Sequence, residues 1–300
     1  MMILGMALFA VSAGLLARNY RHALRRRSFP FYGFLGLAAM AAATVLLALK
    51  IWIVTIYFTP IMWTGYILAV DAAVLAVRGR SMLVNSGAAF AAMASLSVPL
   101  WLVFEAYNVR LQNWSYIGLP ENWLPRNLGY AWAFATIWPA ILETTEFLLA
   151  TQFFGGSRRP ILLPHRLLVA VGATLMVLPV ALPRVLGCYL FGLVWIAFAF
   201  LLDPLNYYAR RASIVADLRG GDRTRLWALM GAGLICGFFW ECWNYPAGAK
   251  WIYIFPLFQQ AKIFEMPLIG YLGFPAFAVE VFAMYVFATR WLPVPYYEVR

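Results

Sequence analysis

The sequence predicts an all-α fold, a polytopic transmembrane helix bundle of about nine spans. Hydrophobic residues make up 64% of the 300-residue chain and charged residues only 12%, whereas soluble domains carry about 25% charged residues. The mean hydropathy is +0.77. Apolar runs close to the ~20 residues that cross a bilayer alternate with short polar loops. This composition does not fit a soluble protein and indicates one membrane-embedded bundle.

The apolar runs define the predicted spans in chain order. They are residues 2–17, 31–50, 61–77, 87–107, 129–154, 166–182, 184–203, 225–245 and 269–290. No basic segment precedes the first run and no small-residue cleavage site follows it, so we interpret it as a retained span. The sixth run is the weakest, because Pro179 and Pro183 crowd its end. The long loops 108–128 and 246–268 are rich in Trp and Tyr, which suits an interfacial belt, a lid or a segment dipping into the bundle.

The positive charge predicts an orientation and not a nucleic-acid partner. The formal net charge is +11, and 17 of the 23 lysines and arginines lie in one set of loops, at the adjoining span edges or at the C-terminus. Positive loops mark the cytoplasmic side. We therefore expect an outside N-terminus and a cytoplasmic C-terminus in the inner (cytoplasmic) membrane of a bacterium. The loops are 18–30, 78–86, 155–165 and 204–224.

One motif occurs twice, which predicts two related halves. It is Glu-x-x-Asn, then Trp-x-Tyr, then Pro and Glu, with an offset of 136 or 137 residues. The first copy is Glu105, Asn108, Trp114, Tyr116, Pro139 and Glu143; the second is Glu241, Asn244, Trp251, Tyr253, Pro275 and Glu280. Two Trp/Asp pairs, eight residues apart within each pair, extend the match: Trp63 with Asp71 and Trp195 with Asp203.

The repeat also predicts the domain organisation. Spans 2–5 correspond to spans 6–9, and an even number of spans per unit makes the repeats parallel, related by an axis along the membrane normal. We therefore expect an N-terminal span and basic loop over 1–30, a first four-span repeat over 31–165 and a second over 166–300.

Acids inside a bilayer are costly and often functional, so they are the catalytic candidates. Glu143 and Glu146 share one helix face, and we expect Glu280 to face them. Two carboxylates this close cannot easily both ionise, and one would then serve as a general acid. Glu105 and Glu241 each lie three residues before an asparagine that could orient the carboxyl group. A purely structural role, as helix caps or buried hydrogen-bonded groups, remains open.

The other polar and aromatic residues give secondary candidates. Asp203-Pro204 fits an N-cap and first-turn proline of an amphipathic helix over 204–218, and Asp71 has Arg78 or Arg80 as candidate partners. Aromatic faces stabilise cations, which makes the aromatic side chains and amides near the acids candidates for substrate binding. These are Asn108, Asn244, Trp114, Tyr116, Trp251, Tyr253, Trp138 and Trp243.

The sequence predicts neither a metal nor a cofactor. The two histidines, His22 and His165, fall in basic loops, and the three cysteines form no Cys-x-x-Cys pair, so no histidine or cysteine metal site is expected. The expected partners are a lipophilic small-molecule substrate and membrane lipid. A homo- or hetero-oligomer remains open.

These motifs resemble the membrane-embedded lycopene cyclase domain family of bacterial heterodimeric and archaeal lycopene β-cyclases and fungal cyclase–phytoene synthase fusions. That family is also a tandem repeat in which an acid, a Trp segment and Pro-x-Glu-Glu follow one another. The order is kept by Glu105, Trp114, Pro139, Glu143 and Glu146, and by Glu241, Trp251, Pro275 and Glu280. The adjacent Glu-Glu pair of the family is absent from both copies. Related membrane-bound terpene cyclases use paired membrane acids in a similar way.

The resemblance implies a carotenoid- or isoprenoid-type cyclase that works by proton-initiated, redox-neutral carbocation chemistry. Under this hypothesis Glu143 is the favoured proton donor, while Glu280, Glu105 and Glu241 stabilise positive charge and take a proton back. Two alternatives stay open on the residues. One is a proton-coupled transporter or lipid-binding membrane protein of the same repeat design, and the other is a scaffold or assembly subunit whose acids are structural.

Overall fold

The computed structural model describes residues 2–23, 27–154, 159–293 and 297–299. These residues are mainly helical, as predicted. The helices are α1 Met2–His22, α2 Phe31–Ala48, α3 Trp52–Arg78, α4 Met82–Asn85, α5 Gly87–Leu111, α6 Trp123–Ala135, α7 Ile137–Ala150, α8 His165–Ala181, α9 Arg184–Gly187, α10 Phe191–Tyr208, α11 Ile214–Arg219, α12 Thr224–Asn244 and α13 Gly273–Ala288. Short 3₁₀ turns occupy Cys188–Leu190, Leu268–Leu272 and Thr289–Trp291, and the strands are β1 Trp114–Ile117, β2 Lys250–Tyr253, β3 Lys262–Ile263 and β4 Met266–Pro267.

Eight helical segments in the described part of the chain are long and apolar enough to cross a membrane. They confirm the all-α fold and indicate an integral membrane protein. The segments are Met2–His22, Phe31–Ala48, Trp52–Arg78, Gly87–Leu111, Trp123–Ala150, Arg184–Tyr208, Thr224–Asn244 and Leu268–Trp291. The predicted sixth span corresponds to α8, an apolar helix of 17 residues, which is about 26 Å long at 1.5 Å per residue.

The orientation remains a prediction. Four of the basic residues behind it, Arg25, Arg26, Arg158 and Arg300, lie outside the described residues.

The predicted fifth span is broken at Thr136, between α6 and α7. Pro139 lies in the first turn of α7. An N–H group at this position would have no acceptor within α7, so a proline here costs the helix no hydrogen bond. Ser97 of α5 bridges the break, because its Oγ donates to the Phe134 carbonyl oxygen and accepts from Trp138 N. A serine on the neighbouring helix thus satisfies backbone groups that the break frees inside an apolar bundle.

The prediction of one amphipathic helix over 204–218 is wrong. Helix α10 continues through Asp203 and Pro204 to Tyr208, and the next helix, α11, begins only at Ile214. Asp203 is still a helix cap, but for α11, since its Oδ1 and Oδ2 accept from the backbone N–H groups of Ile214 and Val215, each at 2.8 Å. The carboxylate thereby satisfies two of the donors that a helix N-terminus leaves free.

Asp71 makes a corresponding contact at the start of α4. Its Oδ1 accepts from Ser81 Oγ at 2.8 Å and from the Tyr32 hydroxyl at 2.6 Å, and its Oδ2 accepts from Leu83 N at 3.0 Å. The predicted pairing with Arg78 or Arg80 is wrong, because Asp71 forms no salt bridge with either arginine, and Arg78 forms a salt bridge with Glu146.

A serine ten residues after each aspartate caps the same short helix. Ser81 accepts from Val84 N and Ser213 from Ala216 N. The Asp-to-Ser spacing of ten residues is therefore duplicated as well.

Candidate functional site

The two long aromatic loops pair with each other through β1 and β2. The strands are antiparallel, with Trp114 opposite Tyr253 and Tyr116 opposite Trp251. Residues two apart on a strand, and residues directly opposite in an antiparallel pair, point to the same face. All four aromatic side chains therefore lie on one face of a two-stranded ribbon. We call the end of the bundle that carries it the ribbon end.

Glu105 lies in the last turns of α5, behind the ribbon. Its Oε1 accepts three hydrogen bonds: from Trp101 Nε1 at 2.9 Å, from Trp114 Nε1 at 3.2 Å and from the Tyr116 hydroxyl at 2.5 Å. Trp101 is four residues earlier on the same helix and so on the same face. Three hydrogen bonds to one oxygen favour the ionised form of this carboxyl group.

Glu241 occupies the corresponding position in α12 with fewer donors. Its Oε1 accepts from the Tyr253 hydroxyl at 2.8 Å and from Trp251 Nε1 at 3.4 Å. Its Oε2 is buried and has no hydrogen-bond partner among the described residues. The third donor is missing because Gly237 stands four residues earlier, where a side chain would collide with the ring of Phe274.

The two asparagines hold the ribbon in place. Asn108 Oδ1 accepts from Asn113 N and Trp114 N, and its Nδ2 donates to the Trp114 carbonyl oxygen. Asn244 binds both backbone groups of Trp251 in the same way, at 2.8 and 3.0 Å. The sequence predicted that these amides orient the carboxyl groups. The structure makes that effect indirect, because the amides fix the strands whose Trp and Tyr donate to the glutamates.

The two ribbon tyrosines are neutral hydrogen-bond donors. Burial, and then the nearby Glu105 carboxyl group, raise the pKa of Tyr116 well above its usual value. Burial and Glu241 do the same to the pKa of Tyr253. Each phenol therefore keeps its proton across the physiological range and stays bonded to its glutamate.

A cavity of about 420 Å³ lies against the aromatic face of the ribbon, within the size range of small-molecule sites. Neither Glu105 nor Glu241 lines it; each is reached through the tyrosine and tryptophan that bind it. The aromatic lining residues are Tyr57, Trp63, Trp101, Trp114, Tyr116, Tyr130, Phe134, Tyr189, Phe191, Trp195, Trp240, Trp251, Tyr253, Phe255, Phe274 and Phe277.

Ring contacts between the two halves of the sequence form part of the cavity wall. Trp63 of α3 packs edge-on against Trp240 of α12, with ring centroids 5.7 Å apart. Trp195 of α10 stacks on Phe104 of α5 at 5.2 Å. Each half thus places a tryptophan against the glutamate-bearing helix of the other half, and the cavity lies where the halves meet.

Glu143 and Glu146 lie at a different level from the ribbon. Ser97 and Trp138 are hydrogen-bonded across α5 and α7. Glu105 is eight residues from Ser97 towards the ribbon end, and Glu143 is five residues from Trp138 in the opposite direction. At 1.5 Å per residue the two glutamates are about 20 Å apart along the helices. The glutamates therefore do not form the single site that the sequence predicted, because Glu143 lies far from Glu105.

Glu143, Glu146 and Arg78 belong to a separate polar cluster away from the ribbon end, which we call the lower cluster. Glu146 is fully buried and forms a salt bridge with Arg78. Glu143 is also fully buried, yet neither of its carboxyl oxygens has a hydrogen-bond partner among the described residues; its acidic neighbours are Asp71 and Glu146. Glu143, the favoured donor from sequence, does not line the cavity.

Glu280 and four predicted substrate contacts, Asn108, Asn244, Trp138 and Trp243, also lie outside the cavity lining. Glu280 forms no hydrogen bond with Glu143 or Glu146, and its Oε1 accepts from Phe198 N of α10 at 2.8 Å. Trp138 is fully buried and donates from Nε1 to the Val281 carbonyl oxygen at 3.0 Å. Trp243 packs against Trp63 with ring centroids 4.7 Å apart. The other aromatic candidates, Trp114, Tyr116, Trp251 and Tyr253, do line the cavity.

Two residues of the site had only weak signals in the sequence. Trp101 stood out only as an aromatic residue near an acid, although its position four residues before Glu105 allowed a hydrogen bond on one helix face. Arg126 lines the cavity but lies in a long loop by the sequence. In the described residues no group of three or more His, Cys, Asp or Glu side chains could hold a metal ion.

No family model matches this chain, and no curated protein or solved structure matches it significantly. The resemblance to the lycopene cyclase domain family therefore stays a prediction from the motifs.

Proposed function

We propose that this protein is a membrane-embedded cyclase that acts on an isoprenoid or carotenoid-type substrate by proton-initiated, redox-neutral chemistry. The observation that carries the proposal is an aromatic cavity in which Tyr116 and Tyr253 each connect the interior to a glutamate, half-buried Glu105 and fully buried Glu241. An apolar chain fits such a lining, and the aromatic faces suit a passing carbocation.

Glu241 is the proposed proton donor. Its Oε1 lies 2.8 Å from the Tyr253 hydroxyl oxygen, and its Oε2 has no partner among the described residues that would compete for the proton. When Glu241 carries its proton on Oε1, it donates to the oxygen of Tyr253, whose own hydroxyl proton then points into the cavity. Transfer of that proton to an alkene carbon, with the Glu241 proton replacing it on the phenol, leaves one carboxylate and one carbocation.

Glu105 is the proposed acceptor. The cation is attacked by a second double bond of the same molecule, which closes a ring and moves the positive charge. Loss of a proton from carbon to the Tyr116–Glu105 pair then gives an alkene. The product is an isomer of the substrate, and no oxidant or reductant is consumed. Three donors on Glu105 Oε1 hold this group ready as a carboxylate.

The proposed organisation is nine spans arranged as two parallel four-helix repeats after an N-terminal span. Three observations support it: the matched Asp71/Ser81 and Asp203/Ser213 caps, the matched glutamate clusters, and the antiparallel pairing of β1 with β2. A two-fold axis along the membrane normal would turn one strand antiparallel to its counterpart. We place the protein in a bacterial inner membrane with the ribbon end outside, from the charge asymmetry.

The test is a set of carboxyl-to-amide variants in an isoprenoid-producing bacterial host. Glu241→Gln and Glu105→Gln should each reduce the amount of cyclised isomer in a lipid extract at least ~100-fold, since each removes an acid–base group. Glu121→Gln, at an exposed loop position on the ribbon side of the chain, is the matched control and should not change the extract. Identical lipid profiles for all variants and wild type, measured by mass spectrometry, would show that this mechanism is wrong.

A proton-coupled transporter is the second candidate, and the polar cluster around Glu143 favours it. A fully buried carboxyl group without a partner, next to Asp71 and the Arg78–Glu146 salt bridge, is a typical element of a proton pathway. This function predicts substrate-dependent proton uptake into proteoliposomes that Glu143→Gln abolishes. A cyclase predicts no such uptake.

A further inference from the structure

The charged residues that line the cavity are both cationic. They are Arg126 in the first turn of α6 and Lys250 at the start of β2, and the lining includes no aspartate or glutamate. Lys250 is neutralised, because its Nζ lies 2.6 Å from Glu265 Oε1. Arg126 is half-buried, and its side chain forms no hydrogen bond or salt bridge with any described residue. The cavity therefore has one uncompensated positive charge at its edge.

An unpaired guanidinium beside an apolar cavity is a suitable anchor for an anion. Removing a charge from water costs free energy unless a partner compensates it. The planar guanidinium fork binds carboxylate and phosphate groups through two parallel hydrogen bonds, which a lysine cannot reproduce. Tyr130, one turn further along α6, also lines the cavity, so this helix face points at the ligand space.

We propose that the cavity binds an amphiphile with an anionic end group, a carboxylate or a phosphate, held by Arg126, with its apolar chain against Trp101 and Trp240. This ligand class rests on the proposed function in one respect, that the cavity is the ligand site; it requires no reaction. The anionic end group could belong to a free isoprenoid acid or phosphate, or to a membrane phospholipid, because both present the same chemistry to Arg126.

The test compares two probes that share a polyene chain and differ in charge. Retinoic acid and retinol are titrated into the full-length protein in phosphatidylcholine nanodiscs, and binding is followed by quenching of tryptophan fluorescence. We expect retinoic acid to bind about tenfold more tightly than retinol, the effect of one charge-assisted contact. Arg126→Gln should remove this preference and leave retinol binding unchanged. Arg126→Lys should keep part of it.

Arg110→Gln is the matched control. Arg110 is also at the ribbon end, but it donates to the Leu182 carbonyl oxygen and does not line the cavity. It should keep the wild-type preference. Adding phosphatidylglycerol to the nanodiscs distinguishes the two ligand sources: competition with retinoic acid identifies a phospholipid headgroup as an occupant, and its absence identifies a free amphiphile.

Equal affinities for retinoic acid and retinol in the wild type, or equal loss of both in Arg126→Gln with an unchanged melting temperature, would overturn the inference. The outcome is separable from that of the proposed function. Glu241→Gln should retain the charge preference in binding even though cyclisation is lost, so a failed reaction with intact binding contradicts only the chemistry.

Discussion

The tyrosine–glutamate bonds are the individual contacts on which the proposed chemistry depends. Glu105 and Glu241 occupy matching positions, but Glu105 has a third donor in Trp101, whereas Gly237 leaves Glu241 with two. The loss of a tyrosine hydroxyl should therefore affect the two glutamates differently. Glu241 would keep only the 3.4 Å contact with Trp251, and Glu105 would keep two well-formed hydrogen bonds.

We predict that Tyr253→Phe lowers the free energy of unfolding by about 1–3 kcal/mol, the cost of leaving a buried polar group unsatisfied. Tyr116→Phe should cost less, because Trp101 and Trp114 still donate to Glu105. Thermal unfolding in detergent measures both. A larger loss for Tyr116→Phe than for Tyr253→Phe would contradict the described difference in donors.

The two acids of the lower cluster should also differ. Glu146→Gln breaks the salt bridge between Glu146 and Arg78 and should destabilise the protein by about 3 kcal/mol, as breaking a buried ion pair does. Glu143→Gln breaks no hydrogen bond and should change stability by less than about 1 kcal/mol. Denaturant titration followed by circular dichroism compares them. Equal destabilisation would mean that Glu143 has a partner of its own.

At the scale of elements, the ribbon is held by two side-chain amides. Asn244 bonds to both backbone groups of Trp251, and a two-stranded ribbon is marginal without outside support. We predict that Asn244→Ala increases hydrogen–deuterium exchange over residues 250–253 by about tenfold or more. Asn122→Ala is the control, because Asn122 caps α6 through Leu124 N. Unchanged exchange in Asn244→Ala would show that the amide does not hold the strand.

The helices were predictable because the bilayer leaves few alternatives to apolar runs of this length. The Glu-x-x-Asn and Trp-x-Tyr spacings also identified the residues that meet at the ribbon. The β1–β2 pairing was not predictable, because it joins residues 133 to 139 positions apart and no local pattern encodes it. Asp203-Pro204 led to a wrong prediction, because this pair is typical of a helix start. In the structure α10 continues through Pro204, and Asp203 instead caps the start of α11.

At the scale of the whole molecule, the cavity lies between the two halves of the sequence. Trp63 and Trp195 each pack against the helix of the other half that carries a glutamate, and the ribbon contains one strand from each half. The chain places Glu105 and Glu241 behind the ribbon, whereas Glu143 lies about 20 Å away along the helices.

The most direct test of the proposed chemistry is solvent-deuterium incorporation. Membranes containing the protein and an isoprenoid pool are incubated in D₂O, and the cyclised isomer is analysed by mass spectrometry. Proton-initiated cyclisation predicts a product that carries one deuterium from solvent, formed by wild type and Glu121→Gln but not by Glu241→Gln. A cyclised product without deuterium, or one formed equally by Glu241→Gln, would contradict a carboxyl group as the source of the initiating proton.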